Sequence, residues 1–218
     1  MKLSSKLILA STLSTLTGSA LAHHPLAGAA METFTHGVLS GVGHPLLGFD
    51  HLAFVVLVGI AAAYCGKLFS APIGYIGGML LGCLLMMAGV TLPLAEVVIG
   101  ASLLIMGFIV MSGREMSSNM ILLAFGVFGL FHGSAFGESI VGQEAGYGIS
   151  VAVGYLLGLG AAQYLIAIGT ALVLRRAVSV MSAQAIQTRL AGAVVTGVGL
   201  FLTLENAETA AFAALGIG

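Results

Sequence analysis

The sequence predicts an all-α integral membrane protein: about six transmembrane helices, preceded by a cleavable signal peptide and a short peripheral or re-entrant segment. Three observations carry this. First, 59% of the 218 residues are hydrophobic and only 7% are charged, where a soluble domain carries roughly 25% charged residues; mean hydropathy is +1.12. Second, the apolar runs are long and continuous, whereas a membrane barrel would show short alternating strands. Third, the basic residues fall in alternate loops, as a fixed membrane orientation requires.

The elements follow in order. Residues 1–22 read as a signal peptide, with Lys2 and Lys6 ahead of a short apolar centre and Ala20-Leu21-Ala22 as the cleavage site. Residues 23–218 then form a single transmembrane domain beginning at His23 and His24. Residues 31–43 are moderately apolar but too few to span, which suggests a peripheral or re-entrant helix. Spans are expected at about 46–66, 72–89, 94–111, 119–135, 148–174 and 190–204. Pro93 suits the opening turn of the third. The sixth is short enough to need tilt or local thinning, unless the tail after it extends the helix. The 32 glycines suit helices packed through small faces. Trp is absent, so the interface must rely on Tyr, and Tyr64, Tyr75, Tyr147, Tyr155 and Tyr164 are for the most part expected near span ends.

Charge tests the layout. A signal peptide places the mature N-terminus outside, and six spans return the C-terminus to that side. Lys67, Arg114, Arg175, Arg176 and Arg189 then all fall in inner loops, with Glu115 as the one acid there. The outer side receives Glu32, Asp50, Glu96, Glu138, Glu144, Glu205, Glu208 and all six His. Acidic residues contribute little to orientation, so this asymmetry points to function: such a field concentrates cations. The expected location is a bacterial inner membrane, with both mature termini on the periplasmic face.

The chemistry concentrates in two segments. In GHPLLGFDHLAF, residues 43–54, His44, Asp50 and His51 lie at the edge of a span. A charge at membrane depth costs roughly 2.5–3.5 kcal/mol on insertion scales, so residues retained there are expected to be used. Pro45 is expected in the first turn of its helix, leaving His44 as a cap. On one straight helix His44 and His51 share a face but sit about 10 Å apart, too far for one ion. The chain must therefore bend at Gly43–Pro45, or the residues must serve successive sites. In LFHGSAFGES, residues 130–139, His132 is expected near the outer end of its span. Glu138 would point about 120° away from it on a straight helix, so loosening at Gly133 and Gly137 is expected. His36, Glu96, His23 and His24 are secondary candidates.

Imidazole with carboxylate suits Ni(II), Co(II), Zn(II) or Fe(II) better than Mg(II) or Ca(II). Ligand type alone does not select among these divalent metals, and no prosthetic group is expected. Cys65 and Cys83 form no CxxC site and read as packing residues, as do Met79 and Met106. Gln163 could line a pathway, but an interhelical hydrogen bond is the commoner use of such a residue. There is no basic patch or phosphate loop for nucleic acid. The absence of HExxH and GxSxG motifs argues against an enzyme. Lipid and a divalent ion are the expected partners, and an oligomer or a membrane-complex subunit is open. The rival readings are an intramembrane metal- or haem-binding enzyme and a structural or assembly subunit.

On the segments HPLLGFDH, residues 44–51, and FHGSAFGES, residues 131–139, the chain resembles the HupE/UreJ family of hydrogenase- and urease-accessory membrane proteins. The signal peptide, length and span layout agree. The resemblance implies a secondary permease for nickel, in some members cobalt, that feeds metalloenzyme maturation. It places metal ligation on His44, Asp50, His51, His132 and Glu138. The first segment also looks like the His/Asp signature of the nickel–cobalt transporters. One departure is Phe136, where many HupE/UreJ members carry a second His.

Overall fold

A computed structural model of the chain describes residues 30–142, 148–177 and 182–216. The expected signal peptide, His23, His24, Glu144 and Tyr147 lie outside the described residues. Those described form seven helices and no strands: α1 Phe34–Leu47, α2 Phe49–Tyr64, α3 Ser70–Met87, α4 Ala95–Met111, α5 Ser118–Val141, α6 Ile149–Ala177 and α7 Ile186–Leu215. Four of them, α3, α5, α6 and α7, are long and apolar enough to cross a membrane, and α1 with α2 makes a fifth candidate as one broken span. The helix α4 has 17 residues, at the lower limit of spanning length. Against an expectation of about six spans, the described residues thus give four, or five with the bent pair, and α4 is marginal.

Helix α2 is the hub. It packs against α1 and α3 through α7, and its segment from Phe54 to Ala63 is largely buried. Around it the helices pair α1 with α6, α3 with α5, and α4 with α7. Glycine permits this closeness. A Cβ added at Gly37 or Gly41 would collide with the α6 carbonyls of Val151 or Tyr155, and one at Gly154 or Gly158 with the α1 carbonyls of Phe34 or Val38. At Gly82, Gly129 and Gly133 the same holds between α3 and α5. Small faces let dispersion act between backbones where lipid offers no hydrophobic drive.

Several expectations are corrected here. Most of residues 31–43 belong to α1, which runs on to Leu47 and lies along α6; its sharp angle to α2 fits a broken span or the expected re-entrant segment. Pro45 falls within the last turn of α1 rather than in the first turn of a following helix, and His44 is helical rather than a cap. The bend comes at Gly48, where α1 and α2 meet at 82°. Pro45 supplies no amide proton to the ladder, and Gly48 turns to an extended conformation at ψ 104°. Pro93 precedes α4, and Leu94, with φ 56°, makes the turn into it. Helix α5 stays α-helical through Gly133 and Gly137, because those glycines serve contact with α3 instead of unwinding. The tail after residue 204 continues α7 to Leu215.

The basic residues gather where α2, α4 and α6 end. The Arg175 guanidinium donates to the Ala63 carbonyl at 3.2 Å and Arg189 Nε donates to the Met111 carbonyl at 2.9 Å. Each cation satisfies an orphan carbonyl at the negative end of a helix dipole. Asp50, Glu96 and Glu138 lie toward the opposite end of the bundle.

Candidate metal centre

The broken helix brings the two sequence segments together. With α1 and α2 folded across Gly48, the rings of His44 and His51 have centroids 5.9 Å apart, where one straight helix would hold them near 10 Å. Gly48 is needed for a second reason: a Cβ there would come 2.9 Å from His51 Cδ2 and 3.2 Å from Asp50 Oδ1. The side chains of the site fold back over the bend.

From α5, His132 reaches the same place. Its Nδ1 lies 2.9 Å from His51 Nδ1 in a buried contact, so one ring donates and the other accepts. His132 is fully buried. It is not near the helix end, as expected, but about two turns inside α5. Its Nε2 is 3.1 Å from Ser102 Oγ on α4, and that hydroxyl donates to the Ile99 carbonyl at 2.7 Å. Asp50 Oδ2 stands 3.6 Å from His51 Nε2, with the carboxylate side chain 23% exposed. This opens the buried pair toward the acidic end of the bundle.

Two further side chains shape the centre. The Tyr155 hydroxyl donates to the Phe136 carbonyl at 2.9 Å and stands 3.1 Å from His44 Nδ1. The Phe136 ring lies against both histidines, with centroids 4.1 Å from His51 and 4.9 Å from His44. Phe54 covers His132 at 4.5 Å. The walls are therefore largely aromatic, and polar atoms converge along the His51–His132–Ser102 and His44–Tyr155 lines.

The remaining candidates divide. Glu138 is exposed, pointing off the helix face that carries His132, because α5 does not loosen. The carboxylates of Asp50 and Glu138 both act electrostatically on Glu96, so the three acids lie near one another at one end of the bundle. His36 stays in the first turn of α1, about 12 Å along the helix from His44, where its Nδ1 accepts the Glu32 backbone N–H at 3.2 Å. Among the described residues, no three His, Cys, Asp or Glu side chains are grouped closely enough to enclose a metal ion. His51 lies within 3.6 Å of Asp50 and 2.9 Å of His132, with the His44 ring beside it at 5.9 Å.

Sequence reasoning missed Ser102 and Tyr155. A serine inside an apolar run was the available signal for the first. Tyr155, grouped with tyrosines mostly near span ends, is fully buried. Gln163 is buried too, and neither of its amide atoms has a hydrogen-bond partner among the described residues, so the expected interhelical bond is not formed. Met79, Met106 and Cys83 are buried packing residues.

Fold and site together define a multi-pass helical membrane protein with a buried histidine cluster on a broken central helix. The chain belongs to the HupE / UreJ protein family, whose model matches residues 11–202. A curated relative, Protein HupE of Rhizobium leguminosarum bv. viciae, is 28% identical over 156 residues, covering 68% of this chain and 82% of the relative. No solved structure matches the chain.

Proposed function

We propose that this protein is a secondary permease for a divalent transition metal, with nickel first, cobalt second and zinc third, moving the ion from the periplasm inward to supply metalloenzyme maturation. The observation that carries the reading is the meeting of His51, Asp50 and His132 at the break in the central helix. Irregular backbone at membrane depth is tolerated where it lines a cavity or is covered by protein, and ionisable residues there mark ion pathways by default.

The chemistry runs in steps. Asp50, Glu96 and Glu138 attract a hydrated dication to the mouth. Two atoms bound to one metal at about 2.1 Å lie roughly 2.9–4.2 Å apart, depending on angle. The 3.6 Å between Asp50 Oδ2 and His51 Nε2 falls within that window. Imidazole plus carboxylate selects a borderline metal over Mg(II) or Ca(II), and an incomplete protein shell leaves water on the ion. A weakly held, partly hydrated ion is what a carrier needs, since cargo must also leave. Movement at Gly48, where α1 and α2 pivot, would pass the ion inward. Membrane potential or an ion gradient would supply the energy.

The test is uptake of radioactive nickel in cells lacking their own nickel importers. Wild type is compared with Asp50→Asn and His132→Ala at equal membrane abundance, with cobalt and zinc as competitors. Wild-type uptake abolished by both substitutions supports the permease and places its path through both segments. No uptake by wild type overturns it.

A further inference from the structure

We propose that Gln163 and the C-terminal end of α1 form an inner, all-oxygen station for the cargo ion, which receives a partly hydrated dication from the histidine cluster on its way inward. The direction of movement rests on the permease reading; the station is a second binding site beyond it.

Two independent features meet there. The first is Gln163 itself. It is fully buried in α6, and neither Oε1 nor Nε2 has a hydrogen-bond partner among the described residues. Burying an amide without a partner costs stability, and a polar packing residue at membrane depth ordinarily bonds across to a neighbouring helix. The second is the break in the central helix. Where α1 stops at Leu47, its last carbonyls lose the amides that would follow on a continuous helix. The Gly48 N–H donates to the His44 carbonyl at 3.0 Å, and the carbonyls after it lie at the turn, at the negative end of the α1 dipole. Pro45 also has no N–H to give the Gly41 carbonyl.

Register places the two together. A Cβ at Gly37 would meet Val151 and Tyr155 of α6, and one at Gly41 would meet Tyr155 and Leu159. Both helices advance by one turn between these contacts, so the next step sets Pro45 against Leu159 and Gln163. Beyond it α2 takes over, since a Cβ at Gly59 would meet the Ala167 carbonyl. Gln163 therefore stands on the stretch of α6 that the chain crosses as it passes from α1 to α2. Tyr155, beside His44, lies about 12 Å earlier along α6, and Arg175 and Arg176 mark the far end of that helix. The station is thus on the inward side of Tyr155.

Its chemistry differs from that of the histidine cluster. Imidazole and carboxylate hold a borderline dication directly. An amide oxygen and backbone carbonyls are neutral acceptors, able to take a proton of metal-bound water or to touch the ion. Broken helices in transporters offer their C-terminal ends to cations in the same manner. Neutral oxygens lower the cost of carrying a dication through an apolar core, yet hold it weakly enough to leave.

The experiment uses the full-length protein. Gln163→Met keeps the length of the side chain and removes both polar atoms. Its maximal Ni(II) uptake is expected to fall about 10- to 100-fold, the loss that follows removal of a hydrogen bond to a charged group. Ni(II) affinity, measured by calorimetry in lipid nanodiscs, and melting temperature should not fall, since the histidine cluster is intact. Uptake at the wild-type rate would overturn the proposal. Accessibility decides the matter if the variant folds poorly. In a chain carrying Cys65→Ala and Cys83→Ala, Gln163→Cys should react with a small charged thiol reagent, and Ni(II) should slow the reaction. Leu165→Cys, at a position 69% exposed on the outside of the bundle, should stay unmodified in lipid. A Gln163→Cys that does not react, or that Ni(II) does not protect, would also overturn the proposal. If Ni(II) protects Gln163→Cys while wild type takes up no nickel, the station stands as a binding site and the permease reading falls.

Discussion

Adding one methyl group at Gly133 should separate the two helices that hold the site. On α5, a Cβ at this position would collide with the Met79 carbonyl oxygen of α3 and lie 2.7 Å from the carbonyl carbon. Carbon atoms settle at about 3.5–4.0 Å, so the helices must part by about 1 Å. The atom in the way is backbone and has no rotamer to turn to. Overpacking of this kind costs roughly 1–3 kcal/mol, against about 1 kcal/mol gained because alanine favours a helix over glycine. Gly126 on the same helix is the control, since a Cβ there meets only the Gly74 carbonyl oxygen at 3.8 Å, an ordinary contact. The two variants share the propensity gain and differ by the clash. Gly133→Ala should therefore fall below Gly126→Ala by about 1–3 kcal/mol, or roughly 2–12 °C in melting temperature at 2–4 °C per kcal/mol. Because Gly133 adjoins His132, the 2.9 Å contact with His51 should lengthen as well. Thermal unfolding of purified protein, read in parallel with Ni(II) uptake, measures both. Equal melting temperatures for the two alanine variants would refute the packing argument.

Uptake should fall at least about 10-fold in Asp50→Asn, which keeps the shape of the side chain but loses its charge; initial rates at equal abundance measure it. Uptake should also decline as external pH drops below about 6, because imidazolium does not bind metal; a rate that stays flat from pH 7.5 to 5 would count against histidine ligation. Phe136→His would place an imidazole among rings now 4.1 and 4.9 Å from Phe136, so the purified variant should retain more metal after gel filtration and transport it more slowly. Gln163→Met removes two buried amide atoms with no partner among the described residues and should stabilise the fold by about 1–3 kcal/mol, visible as a higher melting temperature.

Much of the site was legible because charge is scarce in this chain. With 7% charged residues, an Asp and three His beside apolar runs stand out without any geometry, and the span layout follows from composition and the placement of five basic residues. The need for a bend between His44 and His51 was also readable, from the rise of a helix alone. The position of the bend was not. Pro45 and three nearby glycines all permit a break, and only the packing of α1 along α6 and α2 through the core selects Gly48. The same limit explains Gly133 and Gly137: glycine suits both an unwound segment and a close helix contact, and the partner, α3, decides which. Glu138 turns outward as a consequence. Ser102 and Tyr155 stayed hidden because a hydroxyl in an apolar run carries no sign of what it faces. Composition and periodicity thus determined that the chain is a helical membrane protein with a metal-suited histidine cluster, since both depend on residue type and spacing along one strand of chain. Which helix holds each ring, and which side chains meet it, depend on contacts between distant segments, such as Ser102 with His132 and Tyr155 with His44, and only the tertiary structure decided those.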